Sequence, residues 1–242
     1  MISADKQTDS LYHSMRAKYG KGNARTNGYR LRGYFLWEQR LLFMALGDKE
    51  RLGTLLDIGC GSGLMVRPLA ERGHRVIGLD FNAEACDFAN ANGVPVLRGD
   101  AYALPLQSGS IDHAICCQFL NQQPHAQAPQ LIKEGGRVLA PGGRLILVWR
   151  NGRSLLHRLA HGIGRLADRL SGAPDFPQVF HKPETLRRHA EEEGLSVDFI
   201  GVSCPLSRHG WVGEKSLLAG VAGASFFMVL RRPKSDAGKP GP

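Results

Sequence analysis

The residues best placed to do chemistry are gathered in Leu55-Leu56-Asp57-Ile58-Gly59-Cys60-Gly61-Ser62-Gly63. A short apolar run, read as a strand, carries an aspartate near its end and then three glycines at alternate positions. Without a Cβ, each glycine lets the backbone turn sharply and come close to a ligand. A helix expected at Leu64–Arg72 offers free N–H groups and the positive end of its dipole, which suit a carboxylate. Asp57 can accept a hydrogen bond from an ammonium group, so a ligand bearing both groups satisfies both ends. The spacing is neither the GxGxxG of dinucleotide sites nor a phosphate-binding P-loop. Asp80 closes the next apolar run about 20 residues on, where an acidic residue meets ribose hydroxyls in doubly wound sheets; the local alternative is a turn or helix cap. Histidine is the residue type suited to general-base work near neutral pH, which makes His125 a candidate and His181 a second of the same kind. The alternative for His125 is a histidine that opens a helix.

These residues need a scaffold that brings strand ends together. Short apolar runs alternate with helical stretches: strands at Thr54–Ile58, Arg75–Leu79, Val94–Arg98, Ile111–Phe119 and Arg144–Trp149, with helices at Leu64–Arg72, Ala83–Asn92 and Gln127–Leu139. The pair Gly135-Gly136 is expected to interrupt the last helix, and Pro141-Gly142-Gly143 to turn into the fifth strand. Strands separated by helices imply an α/β fold with a parallel sheet covered on both faces. An apolar pattern from Tyr29 predicts a helix running up to Gly47. After Arg150 the rhythm breaks. A basic amphipathic segment, Ser154–Leu170, is followed by prolines, a helix at Glu184–Glu193, and two strands at Ser196–Val202 and Ser225–Leu230.

Five segments in order, LLDIGCGSG, VIGLD, GDAYALPL, SIDHAICC and LAPGGRL, resemble the motifs of the class I S-adenosylmethionine-dependent methyltransferases. The resemblance implies a Rossmann-like seven-stranded sheet in the order 3-2-1-4-5-7-6 with the last strand antiparallel. It implies S-adenosyl-L-methionine as cofactor. Asp57, Gly59, Gly61 and Gly63 would surround the methionine half, Asp80 would take the ribose hydroxyls, and Phe81 would lie against the adenine. Asp100 with Ala101 would read the adenine amino group, and Gln118 would pass under the sulfonium. Asn27-Gly28-Tyr29-Arg30-Leu31-Arg32 resembles a stretch of the branch that methylates small aromatic or quinone-precursor molecules, which would bring Arg30 to the cofactor carboxylate; an exposed helical arginine is the alternative. Gln118-Phe119-Leu120-Asn121-Gln122-Gln123-Pro124-His125 departs from that branch in lacking carboxylates, which argues against metal-assisted deprotonation and leaves His125 as the catalytic candidate. No metal site is expected.

On this reading residues 1–50 form an N-terminal helical extension and residues 51–233 the methyltransferase domain. Residues 151–182 are a lid-like insert, and residues 234–242 a disordered tail. In the insert, Leu155, Leu159, Ile163, Leu166 and Leu170 recur at helical steps, with Arg158, Arg165 and Arg169 on the other side. Such a stripe packs on its own domain, covers a substrate, or rests on a bilayer surface.

The 242 residues are enough for a core that needs no disulfide or metal. The five cysteines, Cys60, Cys86, Cys116, Cys117 and Cys204, form no CxxC pair and fit small buried thiols of a reducing compartment. No apolar segment reads as a signal peptide or a membrane span. The chain therefore reads as cytoplasmic, with the insert a candidate for peripheral contact with the inner face of a membrane. A net charge of +9 attracts anionic partners without choosing among them. A nucleic-acid (RNA) methyltransferase is one alternative, although no NPPY-like or Pro-Cys motif and no RNA-binding module is present. A non-catalytic cofactor-binding or membrane-docking protein is the other.

Overall fold

The computed structural model describes residues 32–47, 52–170 and 178–234 of the chain. In chain order the elements are α1 (Arg32–Leu46), β1 (Thr54–Ile58), α2 (Arg67–Ala70), β2 (Arg75–Asp80), α3 (Ala83–Ala91), β3 (Val96–Arg98), β4 (Ile111–Cys117), α4 (Ala128–Val138), β5 (Leu139–Arg150), α5 (Leu155–Leu170), α6 (Pro183–Glu192), β6 (Ser196–Ser203), β7 (Trp211–Gly213), α7 (Leu217–Ala222) and β8 (Ser225–Arg231). The strands form one sheet in the order β3-β2-β1-β4-β5-β8-β6-β7. Strands β1 to β5 are parallel. Strand β8 enters between β5 and β6 and is antiparallel to both.

This is the doubly wound order expected, with one correction. A three-residue strand, β7, adds an eighth member by pairing antiparallel with β6, and a run that short leaves no alternation to read. Alternate side chains send two apolar faces outward from the sheet, as the pleat requires. Leu56, Ile58, Leu145, Leu147, Trp149, Phe226 and Met228 meet the side chains of α4, α6 and α7 on one face. Leu55, Ile115, Ile146, Val148, Phe227 and Val229 meet α1, α3 and the turn at Met65-Val66 on the other. Helix α1 buries Phe35, Leu41, Leu42 and Leu46 in that second layer.

Three local expectations are corrected. Helix α4 runs unbroken through Gly135-Gly136. A Cβ on Gly135 would stand 2.8 Å from Leu145, and one on Gly136 3.1 Å from Leu195, so the glycines let the helix lie close to its neighbours. The Pro141-Gly142-Gly143 segment is an irregularity inside β5. Pairing starts at Ile111 with Leu139 and resumes at His113 with Arg144, and the strand is longer than its apolar run. The helix expected at Leu64–Arg72 contracts to the four residues of α2, preceded by turns.

Candidate active site

The carboxyl ends of β1, β2 and β3 lie side by side. Asp57 pairs with Gly78 across β1 and β2, and Asp80 with Arg98 across β2 and β3. The glycine loop folds over this edge. The N–H groups of Gly59 and Cys60 both donate to the Leu79 carbonyl, at 2.8 and 3.0 Å, and Gly61 N–H donates to Asp80 Oδ2 at 2.8 Å. Gly59, Gly61 and Gly63 all have left-handed backbone, with φ of 72°, 55° and 73°, a conformation that costs other residues energy. At Gly59 a Cβ would also stand 2.5 Å from the Phe119 ring. Phe119, which sequence reasoning passed over, thus lies directly on the loop.

Of the amides in this segment, those of Gly59, Cys60, Gly61 and Gly63 are taken by protein acceptors, and Val66 and Arg67 turn theirs back to the Gly63 carbonyl, so these six do not serve a ligand carboxylate. Helix α2 is also too short for a strong dipole end. Arg30, the other residue expected at that carboxylate, lies outside the described residues.

The two acidic residues differ. Asp80 is held rigidly, its Oδ1 accepting from Asn82 N–H at 3.0 Å and its Oδ2 from Gly61. A carboxylate accepts up to about four donors, so the group's chemistry suits a pair of hydroxyl donors. Asp57 is only 2% exposed, and its Oδ2 has no hydrogen-bond partner. Burial, reinforced by the nearby negative charge of Asp80, pushes its carboxyl up to about 7. An orphaned buried carboxylate oxygen is costly unless a donor is meant to arrive. An ammonium group would supply both the donor and the opposite charge, so Asp57 and Asp80 together fit the amino and ribose ends of S-adenosylmethionine.

The neighbouring expected residues fall on the same edge. Phe81 is 45% exposed beside Asp80. Asp100 is exposed and accepts from Tyr102 N–H at 2.8 Å, while Ala101 is buried. Tyr102 O–H in turn donates to Gln123 Oε1 at 2.7 Å, which connects the β3 end to the turn after β4. Cys60, inside the loop, is buried against Gly78, where a Cβ would stand 2.7 Å from its sulfur. Burial first, then Asp57 and Asp80, raise its thiol well above the usual range, which keeps it from acting as a nucleophile.

Gln118 directly follows β4. It has φ +62°, the one positive φ outside glycine among the described residues, a strain that persists only where the surroundings fix it. Its Nε2 donates to Glu38 Oε1 and Oε2 at 2.9 and 2.8 Å and to Ser225 Oγ at 3.1 Å, and its Oε1 accepts from Asn121 Nδ2. Tyr34 O–H reaches Glu38 and Ser225. The Gln118 side chain is therefore buried in a polar cluster that includes Asn121 of the turn carrying Phe119. Glu38 and Tyr34 come from α1, and Ser225 from β8. Gln39, next to Glu38, donates to the carbonyls of Leu64 and Met65 at 3.0 and 2.8 Å. One turn of α1 thus ties the segment after the glycine loop to the end of β4.

His125 and His181, proposed singly from sequence, are brought together. Their Nδ1 atoms are 3.3 Å apart and their rings meet edge to face at 4.6 Å. The stretch around His181 is tied to the turn after β4 by Trp149 Nε1–H donating to the His181 carbonyl and Val179 N–H to the Asn121 carbonyl. Among the described residues no group of three or more His, Cys, Asp or Glu is placed to hold a metal ion. In α5, Leu155, Leu159 and Ile163 are each more than half exposed, so this part of the stripe does not pack on the domain. The side chains of Leu166, Arg165 and Arg169 lie outside the described residues.

Residues 56–147 match the family model described as a methyltransferase domain. An uncharacterized methyltransferase of Mycobacterium tuberculosis is 35% identical over 144 residues, 57% of this chain and 56% of its own length. A ubiquinone biosynthesis O-methyltransferase of Psychrobacter arcticus is 26% identical over 212 residues, 81% of this chain and 77% of its own. The crystal structure of a magnesium protoporphyrin IX methyltransferase from Synechocystis with bound S-adenosylhomocysteine superposes with a TM-score of 0.62 at 21% identity, covering 96% of this chain and 98% of that one. Residues 56–147 are thus similar to a methyltransferase domain, and the fold is that of the superposed methyltransferase structure. The chain spans little more than half the length of the mycobacterial relative it matches.

Proposed function

We propose that the protein is an enzyme that transfers a methyl group from S-adenosylmethionine to a small-molecule or lipid-precursor acceptor, with phenolic quinone precursors as the substrate class. The observation that carries this reading is the pair at the sheet edge: Asp57 buried with an unpartnered oxygen, beside an Asp80 fixed by two backbone amides. The cofactor supplies a methyl group already activated by its sulfonium. The protein's share is then alignment and exclusion of water, worth about 7–11 kcal/mol in favourable cases. The tight loop, Phe119 lying on it and the clamp from α1 all serve alignment. A phenol must lose its proton, and His125 is our candidate to take it. The named activity of the Psychrobacter relative supports the acceptor class.

The exposed leucines of α5, with exposed Leu217 and Leu218 of α7, support an apolar or membrane-held acceptor and peripheral contact with an inner membrane face. No helix among the described residues is long and apolar enough to cross a membrane. The test is methyl transfer from labelled S-adenosylmethionine into three separate pools: phenolic quinone precursors, extracted lipid and RNA. Label in the phenols alone is the expected result, and label confined to RNA overturns the acceptor class. Flotation with anionic vesicles checks the membrane contact, and unchanged partition on replacing Leu155 and Ile163 by serine would remove it.

A further inference from the structure

The two histidines form an ordered pair. His181 is only 4% exposed. Its Nε2 lies 3.0 Å from the Leu120 carbonyl oxygen and 3.2 Å from that of Gln123. Carbonyl oxygens only accept, so this nitrogen carries the proton. Burial holds the His181 imidazole below its ordinary range, and the neighbouring His125 adds to that, so the ring is neutral near pH 7. A neutral ring protonated on Nε2 presents a lone pair on Nδ1. That lone pair faces His125 Nδ1 at 3.3 Å, which must then be the donor. His125 is left with its lone pair on Nε2, the nitrogen on the far side of the exposed ring.

We propose that His181 is a positioning residue that fixes the tautomer of His125 so that Nε2 is the proton acceptor. The tautomer assignment rests on the hydrogen bonds made by a buried, neutral His181; its catalytic consequence rests on the reading of His125 as the base. When His125 Nε2 takes the substrate's proton, the imidazolium still donates from Nδ1 to His181. The hydrogen bond becomes charge-assisted as the positive charge appears. A carboxylate does this in the hydrolase triads. Here a second imidazole serves, itself oriented by two carbonyls of the turn that carries its partner. The pair sits where that turn is tied to Tyr102 through Gln123, two residues before His125.

The test uses the full chain, labelled with nitrogen-15, and long-range proton–nitrogen correlation of the imidazoles near pH 8, with assignment by His125→Gln. The expected spectrum shows His125 protonated on Nδ1 and His181 on Nε2. Replacing His181 by Phe removes the acceptor, and His125 should revert to the Nε2-protonated form that free imidazole prefers. His181→Asn restores an acceptor oxygen near the old Nδ1 and should restore the Nδ1-protonated form. In methyl transfer, His181→Phe should lower kcat about tenfold with unchanged cofactor affinity, and His181→Asn should recover most of it. Wild-type His125 protonated on Nε2 overturns the proposal, even if no variant folds. Expected tautomers together with wild-type turnover in His125→Ala would show that His125 is not the base, which removes the catalytic role of the pair but leaves methyl transfer itself untouched.

Discussion

Two buried carboxylates stand near the same sheet edge and are treated in opposite ways. Glu38, fully buried on α1, receives both oxygens' worth of donors from Gln118 Nε2 and another from Tyr34 O–H. Asp57, almost as deeply buried on β1, has one oxygen with none. The satisfied group holds shape: it fixes Gln118 in its strained backbone and so sets the turn after β4. On our proposal the unsatisfied one is kept for an arriving cation. Burial alone does not distinguish the two carboxylates; the missing partner does.

The contrast is broken most directly at Asp80. Asp80→Ala removes the acceptors for Gly61 and Asn82 as well as those offered to the ribose, and should weaken S-adenosylmethionine binding by about 2–4 kcal/mol. Calorimetry showing unchanged affinity would move the cofactor elsewhere. Next is Glu38→Ala, which leaves the Gln118 amide and the Tyr34 hydroxyl buried without their partner. It should cost about 2–3 kcal/mol of stability in urea unfolding, with a smaller change in cofactor affinity. Affinity falling more than stability would make Glu38 part of the binding site.

Asp57 gives a pH signature. Its folded-state carboxyl is raised from 3.8 to about 7. The folded state thus holds a proton that the unfolded state has released, and stability should decline as pH rises from about 4 to 7. Binding an ammonium needs the ionised form. Affinity should therefore rise about tenfold per pH unit, some 1.4 kcal/mol, up to pH 7 and then level off. Asp57→Asn should flatten both curves, and a slope that survives the substitution assigns the titration to another group. The smallest effect is expected at Ile163 on α5. Being exposed, its replacement by serine should change the unfolding midpoint by no more than about 0.5 kcal/mol. A larger loss would mean that the stripe packs on the domain after all.

What the sequence disclosed follows the range of the interactions. Asp57, the three glycines, Asp80 and Asp100 are set by strand ends and turns a few residues long, and their order is readable along the chain. The Glu38–Gln118–Ser225 cluster joins residues 80 and 107 positions apart, and nothing local in α1 distinguishes Glu38 from a solvated helical glutamate. His125 and His181 were each visible as histidines, yet their pairing depends on how the chain returns after the insert. The glycines of α4 misled for a related reason: low helix propensity is a local cost, whereas the close approach to Leu145 that it permits is tertiary.

The sheet is bordered at both ends by strands of three residues, β3 and β7. A border strand offers unpaired backbone groups to any other chain with a strand to lend, and the hazard grows with its length. Without β7, the outermost strand would be β6, eight residues long. The Cys204 N–H to Gly210 carbonyl bond and the Trp211 ring, packed edge-on against Phe199 and Phe227, hold the small hairpin over it. The residues between Cys204 and Gly213 thus act as a hem on the fabric of the sheet. Excising them should leave the cofactor edge intact while making concentrated solutions of the protein prone to fibrillar association.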